Sequence, residues 1–335
     1  MQLENFFKKV NKGLLEICWS HWKRLGAYVE GPVNYCSTDP EALILLTTLI
    51  GKHDQRLLEI MAQWIHHYEH LIPIDRMKRV LDELSCAKFA DPHFSLLNDV
   101  LQGALPESKK PRWKSIEVIL ARGDGKSAEE KAYKVETRKK LESHEKIIAN
   151  NAQLTLRCLF GPSSRADILY CLVVLQKSRR TLFQAISAPH LARHLHYDRT
   201  AVHHILGDLE EGHIIRKTKK PIHRVILSYE FCDENKIHIE SKIKEKTYID
   251  WLQITFIVLE LQKLESKTLK IKNEMIVKVK LQEVFDKINY WVAYSYIPQA
   301  EQKGFSESLE KVSVERLMEA ILKQVDGIFQ FITSK

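Results

Sequence analysis

The sequence predicts a mainly α fold in three parts. These are a helical N-terminal domain over 1–105, a central unit of three helices and a β-hairpin over 157–232, and a helical C-terminal region over 245–335, with a charged connector over 106–156. Two observations predict it. Apolar residues recur at i, i+3, i+4 and i+7 in run after run, the period of a helix with one buried side. Helix-starting and helix-stopping residues (Asp39-Pro40, Gly51, Asp54, Asp198, Gly212) stand where those runs begin and end. A chain of 335 residues with 44% hydrophobic and 28% charged residues has an ordinary globular composition and room for two or three cores.

In chain order, Asp39 caps a helix with Pro40 at its first position, and Ala42 to Ile50 is apolar on every side, so this helix is expected at the centre of a core. Gly51 ends it. Asp54 caps the next, with the stripe Leu57, Leu58, Met61 and Ile65; Ile74, Met77, Leu81 and Leu84 form another stripe. The segment 106–150 turns charge-dense and reads as a linker or solvated helical connector, with Ile116 to Leu120 strand-like. Beyond the central unit, Tyr248 to Leu264, Glu274 to Tyr296 and Val314 to Phe331 are apolar helices.

The central unit carries the most information. Arg165 to Leu175 is an apolar helix. Ser187 and Pro189 start a second one, with Leu191, Ala192 and Leu195 on its inner side and Ala192 small enough for a close helix crossing. His196-Tyr197 forms the turn, and Asp198 caps a third helix whose Val202, Ile205, Leu206 and Leu209 face inward. Its other side shows Arg199, Thr200, His203, His204 and Gly207, and Gly212 stops it. Ile214-Ile215 and the alternating Val225, Leu227 and Tyr229 then flank a polar turn, giving a hairpin whose tip bears Arg216, Lys217, Lys219, Lys220 and Arg224 without an acid.

This order of elements is that of a winged helix-turn-helix, which sets one helix in the major groove of DNA. The phrases RADILYCLVVL and APHLARHLHYDRTAVHHILGDLEEGHII, with the basic hairpin, resemble the winged-helix regulators of the MarR and ArsR type and the winged-helix domains of some bacterial antitoxins, over about 70 residues. His196 departs from them, since such turns often use Gly. WSHWKRLG and DPEALILLTTLIGKHDQRLLEIMAQWI are similar to the amino-terminal region of larger bacterial proteins that carry such a domain in mid-chain. The resemblance implies that Asp198 to Leu209 is a recognition helix, that Arg216 to Arg224 is a wing, and that double-stranded DNA is the partner. It also implies a two-fold homodimer; the sequence names no effector.

Charge supports that partner. Residues 157–230 hold 12 Lys/Arg and 6 Asp/Glu, net +6, whereas the remaining 39 Lys/Arg and 37 Asp/Glu leave +2. The six cysteines are scattered with no C-x-x-C pair, which argues against a zinc ribbon or disulfide framework and fits a reducing cytoplasm. The start MQLENFFKKVNKG has no signal-peptide core, and the longest uncharged apolar run, Ala42 to Gly51, is half a membrane span, so no membrane is expected.

Four patterns compete as chemistry. His66-His67-Tyr68-Glu69-His70 matches the inverted zincin H-x-x-E-H but stands at a helix end with no third ligand in view. Gly123-Asp124-Gly125-Lys126-Ser127 resembles the end of a phosphate loop, with Leu120 where the first loop glycine belongs. Arg138 and His144 have an R-x5-H ribonuclease spacing, and Arg199 with His204 an R-x4-H one. His190 and His194, one turn apart, suit a metal, with no Cys or carboxylate to complete a set. No catalytic constellation is complete, so no enzyme, cofactor or metal is expected. The expectation is a cytoplasmic, sequence-specific DNA-binding protein, a bacterial transcriptional regulator, contacting DNA through Arg199, Thr200, His203, His204, Arg216, Lys217, Lys219, Lys220 and Arg224. The alternatives are a nuclease or toxin–antitoxin component in which the winged helix delivers a helical effector domain, and a protein–protein module.

Overall fold

The computed structural model describes residues 2–29, 36–84, 92–121, 141–177, 187–222, 224–231, 251–294 and 312–333. Among these are fourteen α-helices and two paired strands, so the protein is mainly α. The helices are α1 Leu3–Arg24, α2 Pro40–Ile50, α3 Gln55–Tyr68, α4 Ile74–Leu84, α5 Ser95–Ala104, α6 Lys110–Ala121, α7 His144–Asn150, α8 Ala152–Phe160, α9 Ser164–Lys177, α10 Ala188–Leu195 and α11 Arg199–Glu211. Strands β1 Ile215–Ile222 and β2 Arg224–Phe231 follow, then α12 Trp251–Thr268, α13 Glu274–Tyr294 and α14 Val314–Thr333. No helix among the described residues is long and apolar enough to cross a membrane.

The all-apolar helix takes the expected central place. Every residue of α2 is buried, and the Asp39 carboxylate accepts the Ala42 N–H at its start. Around it lie α1, whose Trp22 Nε1 donates to Thr47 Oγ1 at 2.8 Å, and α3, whose Asp54 cap accepts the Arg56 N–H. On another side lies α12, whose Trp251 Nε1 donates to Ser37 O at 2.5 Å.

The N-terminal domain and C-terminal region expected as separate parts share a single hydrophobic core. Asn11 of α1 donates to Glu265 and accepts from Gln262 of α12. Helix α14 lies against α1 so closely that a Cβ on Gly13 would stand 2.3 Å from Phe329. The connector expected over 106–156 is not solvated throughout, nor is 116–120 a strand. Trp113, Ile116 and Leu120, at i, i+3 and i+7 on α6, are buried in this same core. Charged residues on the outer side of α6 hid a helix with an apolar inner face.

A second, smaller core is built from α9, α10, α11 and Ile215, with Val202, Leu206 and Leu209 supplying the inner side of α11. Helix α8 joins the two, Leu154 packing in the large core and Leu156 against the small one. Strands β1 and β2 run antiparallel, with Ile215 opposite Phe231 and Ile222 opposite Arg224. The expected polar turn at 216–221 is therefore strand, and Arg216 and Lys217 stand opposite Glu230 and Tyr229 at the base of the pair, not at its tip.

Candidate nucleic-acid interface

Asp198 sets the start of α11. Its Oδ1 accepts the Thr200 and Ala201 N–H groups at 2.9 and 3.1 Å, and those hydrogen bonds hold its carboxyl below the usual range. From that start the helical period turns Arg199, Thr200, His203 and His204 to the exposed side, opposite buried Val202, Leu206 and Leu209. Gly207 continues the same side one turn on, and a Cβ there would meet nothing within 4 Å. A mid-helix glycine is about 1 kcal/mol less stable than alanine, and no neighbouring group among the described residues requires it.

The helix stops at Gly212 as expected, but the left-handed residue that closes it is the next one. Gly212 has an ordinary φ of −76°, and His213 takes the left-handed conformation at φ 54°. Ile214 N–H donates to Leu209 O and His213 N–H to Glu210 O, the paired bonds of a Schellman ending. The turn between α10 and α11 shares the longer of these bonds: His196 stands at φ 56°, ψ 41°, and Tyr197 N–H reaches Ala192 O, which also accepts the His196 N–H. The histidine that departs from the usual turn residue thus adopts the conformation glycine would supply. Ser187 occupies the cap position of α10, but its hydroxyl meets His190 Nδ1 at 3.0 Å instead of a backbone N–H.

Of the expected hairpin cations, Arg216 and Lys217 are exposed. The Lys217 ammonium is ion-paired with Glu210 of α11, so the hairpin base is less positive than its sequence alone suggests. Lys219, Lys220 and Arg224 lie in the paired backbone, and their side chains lie outside the described residues.

Sequence reasoning missed a buried charge network where the small unit meets the body. Arg157 of α8 places all five guanidinium N–H groups: on Glu41 at 2.7 and 2.9 Å, on Asp167 at 2.8 and 3.0 Å, and on Leu71 O at 3.1 Å. Asp167 also accepts from Gln153 and from the Tyr197 hydroxyl at 2.9 and 2.7 Å. Arg76 of α4 pairs with Asp39 and Glu41 and donates Nε to Leu195 O at 2.9 Å. Burial would raise the Asp39 and Asp167 carboxyls, but Arg76 and Arg157 hold both below the usual range. At Glu41 burial prevails, and its carboxyl is raised. The sequence held a signal for this. Glu41 and Asp167 are lone acids in otherwise apolar helices, and a buried charge requires a partner.

The competing patterns come out differently. His66 Nδ1 lies 2.8 Å from Ala104 O, and the Glu69 carboxylate is held by Arg112 at 2.6 Å, Lys109 at 2.9 Å and Trp113 Nε1 at 3.4 Å. Glu69 thus ties α6 to the end of α3, a structural task. His144 stacks on Tyr68 at 5.5 Å. His190 and His194 stack at 6.3 Å, with His190 held below its usual pKa by burial and then by the neighbouring His194. Among the described residues, no three His, Cys, Asp or Glu side chains converge to hold a metal ion. Gly123 to Ser127 and Arg138 lie outside the described residues. No family model, curated protein or solved structure matches the chain.

Proposed function

We propose that the protein binds double-stranded DNA through α11 and the β1–β2 pair, as a winged helix-turn-helix transcriptional regulator. The observation that carries the reading is the two-sided character of α11. Its inner side is locked into a small core of its own, and its outer side exposes Arg199, Thr200, His203, His204 and the open Gly207. A helix of about 10–12 Å diameter with a narrow, hydrogen-bonding outer side fits the major groove, and an open glycine admits close approach. The net +6 of residues 157–230 supports a polyanionic partner. In this reading the strand cations Lys219, Lys220 and Arg224 meet phosphates, and Arg216 joins them from the hairpin base. Reading as a two-fold dimer would place half-sites about 34 Å apart. A cytoplasmic location fits the scattered cysteines, none of them in a C-x-x-C pair.

Selection from randomised duplexes tests it. The full chain should enrich a defined site. His203→Ala with His204→Ala should then lower preference for that site by about 1–3 kcal/mol per lost base contact, while affinity for random duplex changes little. Equal losses on both would leave α11 without a reading role.

A further inference from the structure

One side of α4 lies along the turn that launches α11. Arg76, Arg79 and Glu83 fall at i, i+3 and i+7, one face of a helix. Arg76 Nε donates to the carbonyl of Leu195, the last residue of α10, at 2.9 Å. Glu83 Oε2 lies 2.7 Å from Nδ1 of His196, the left-handed residue of the turn. Arg79, between them, adds a favourable field at Asp198, whose carboxyl is held down first by the Ala201 and Thr200 N–H groups. Residues 195, 196 and 198 are thus each addressed from α4.

Arg76 is itself immobilised. It is 3% exposed, and its other nitrogens are ion-paired with Asp39, the cap of the buried α2, and with Glu41 inside it. Tyr197, the remaining turn residue, donates its hydroxyl to Asp167, which Arg157 ties to the same Glu41. A guanidinium with a fixed fork on two carboxylates and a third bond to a helix-end carbonyl fixes direction as well as distance, which a lysine ammonium does not. An orphan carbonyl at a helix C-terminus is also where a cation is most favourable.

We propose that Arg76 is a positioning residue for α11: through α4 the large body sets the angle at which the helix is presented, so the two cores act as one rigid reader. The proposal rests on the DNA-binding reading for its purpose and on the turn geometry for its existence, and the experiment separates the two. Amide hydrogen exchange on the full chain is compared for wild type, Arg76→Lys and Glu83→Gln, with Met61→Ala as a control that opens a cavity in the large core away from the turn. Arg76→Lys should speed exchange at Tyr197 and Val202 by about tenfold with α3 amides unchanged, and should reduce the ratio of site to random-duplex affinity by about tenfold. Glu83→Gln leaves the buried fork intact and should speed Tyr197 exchange about threefold. If Arg76→Lys does not fold, this arm decides whether α4 sets the turn, and unchanged Tyr197 exchange overturns that claim and the proposal with it. The proposal also falls if Arg76→Lys leaves the turn amides unchanged, or if Met61→Ala loses the same discrimination at equal loss of stability. If wild type shows no salt-dependent DNA binding, the DNA reading fails, and the exchange arms alone decide whether Arg76 positions the turn.

Discussion

Replacing Arg157 by Met should be among the most damaging single changes in the protein. Arg157 is 1% exposed and makes every one of its N–H contacts inside the molecule, two on Glu41, two on Asp167 and one on Leu71 O. Met fills most of the volume, so the loss is electrostatic. Two buried carboxylates lose their shared cation, and removing one partner of a buried pair costs about 3–5 kcal/mol. Arg76 still serves Glu41, while Gln153 and Tyr197 still serve Asp167, which places the expected loss near the lower end, about 3 kcal/mol. Against a typical stability of about 5–15 kcal/mol this is a large fraction. Urea titration followed by far-ultraviolet circular dichroism at pH 7 measures it. The triple replacement Arg157→Met, Glu41→Gln and Asp167→Asn removes the charges together and should recover at least half of the loss. A single variant losing under about 1 kcal/mol, or a triple variant weaker than the single, would refute the claim that unpaired burial is the dominant cost.

Two further outcomes are expected. His21 is fully buried with Nδ1 2.8 Å from Thr38 Oγ1 and its ring against Trp251, and burial first, then Arg24, holds its pKa well below 6.5. Since the unfolded chain binds this proton more readily, the contribution of His21 to stability is fullest above pH 6.5 and is lost on acidification, by about 1 kcal/mol at pH 5.5. His21→Gln should flatten that part of the pH profile, and an unchanged slope in thermal melts would exclude His21 as its source. Gly207→Ala should raise stability by about 0.5–1 kcal/mol, because a Cβ there meets nothing within 4 Å, and should weaken duplex binding by crowding the groove. Gains in both melting temperature and DNA affinity would show that no partner approaches at Gly207.

The parts legible in the sequence were those set by local rules. Asp39, Asp54 and Asp198 cap the helices they precede, and the all-apolar 42–50 run lies in the buried α2. Stripes at helical spacing placed Leu57 to Ile65 and Val202 to Leu209 on inner sides. What was not legible depends on distant residues meeting. Nothing in the local pattern of α12 or α14 says that they return to the core of α1 and α2, although Gly13, in the middle of an amphipathic helix, marks where Phe329 closes in. The shared network was legible only in part: Glu41 and Asp167 signal buried charges, but nothing in the local pattern says that Arg76 and Arg157 are the cations that meet them. Left-handed His196 and His213 escaped for another reason. Glycine is the usual sign of that conformation, and here tertiary bonds and Schellman endings hold histidines in it.

The central claim is that a duplex is held by α11 and by the strand cations. Its most direct test is the salt dependence of random-duplex affinity, measured by fluorescence anisotropy for wild type and for Lys217→Ala, Lys219→Ala, Lys220→Ala combined. Because Lys217 is ion-paired with Glu210, two phosphate contacts are expected to be lost, lowering the slope of log K against log salt by about 1.8. Wild-type affinity that does not change with salt, or a slope that the triple variant leaves intact, would contradict the account.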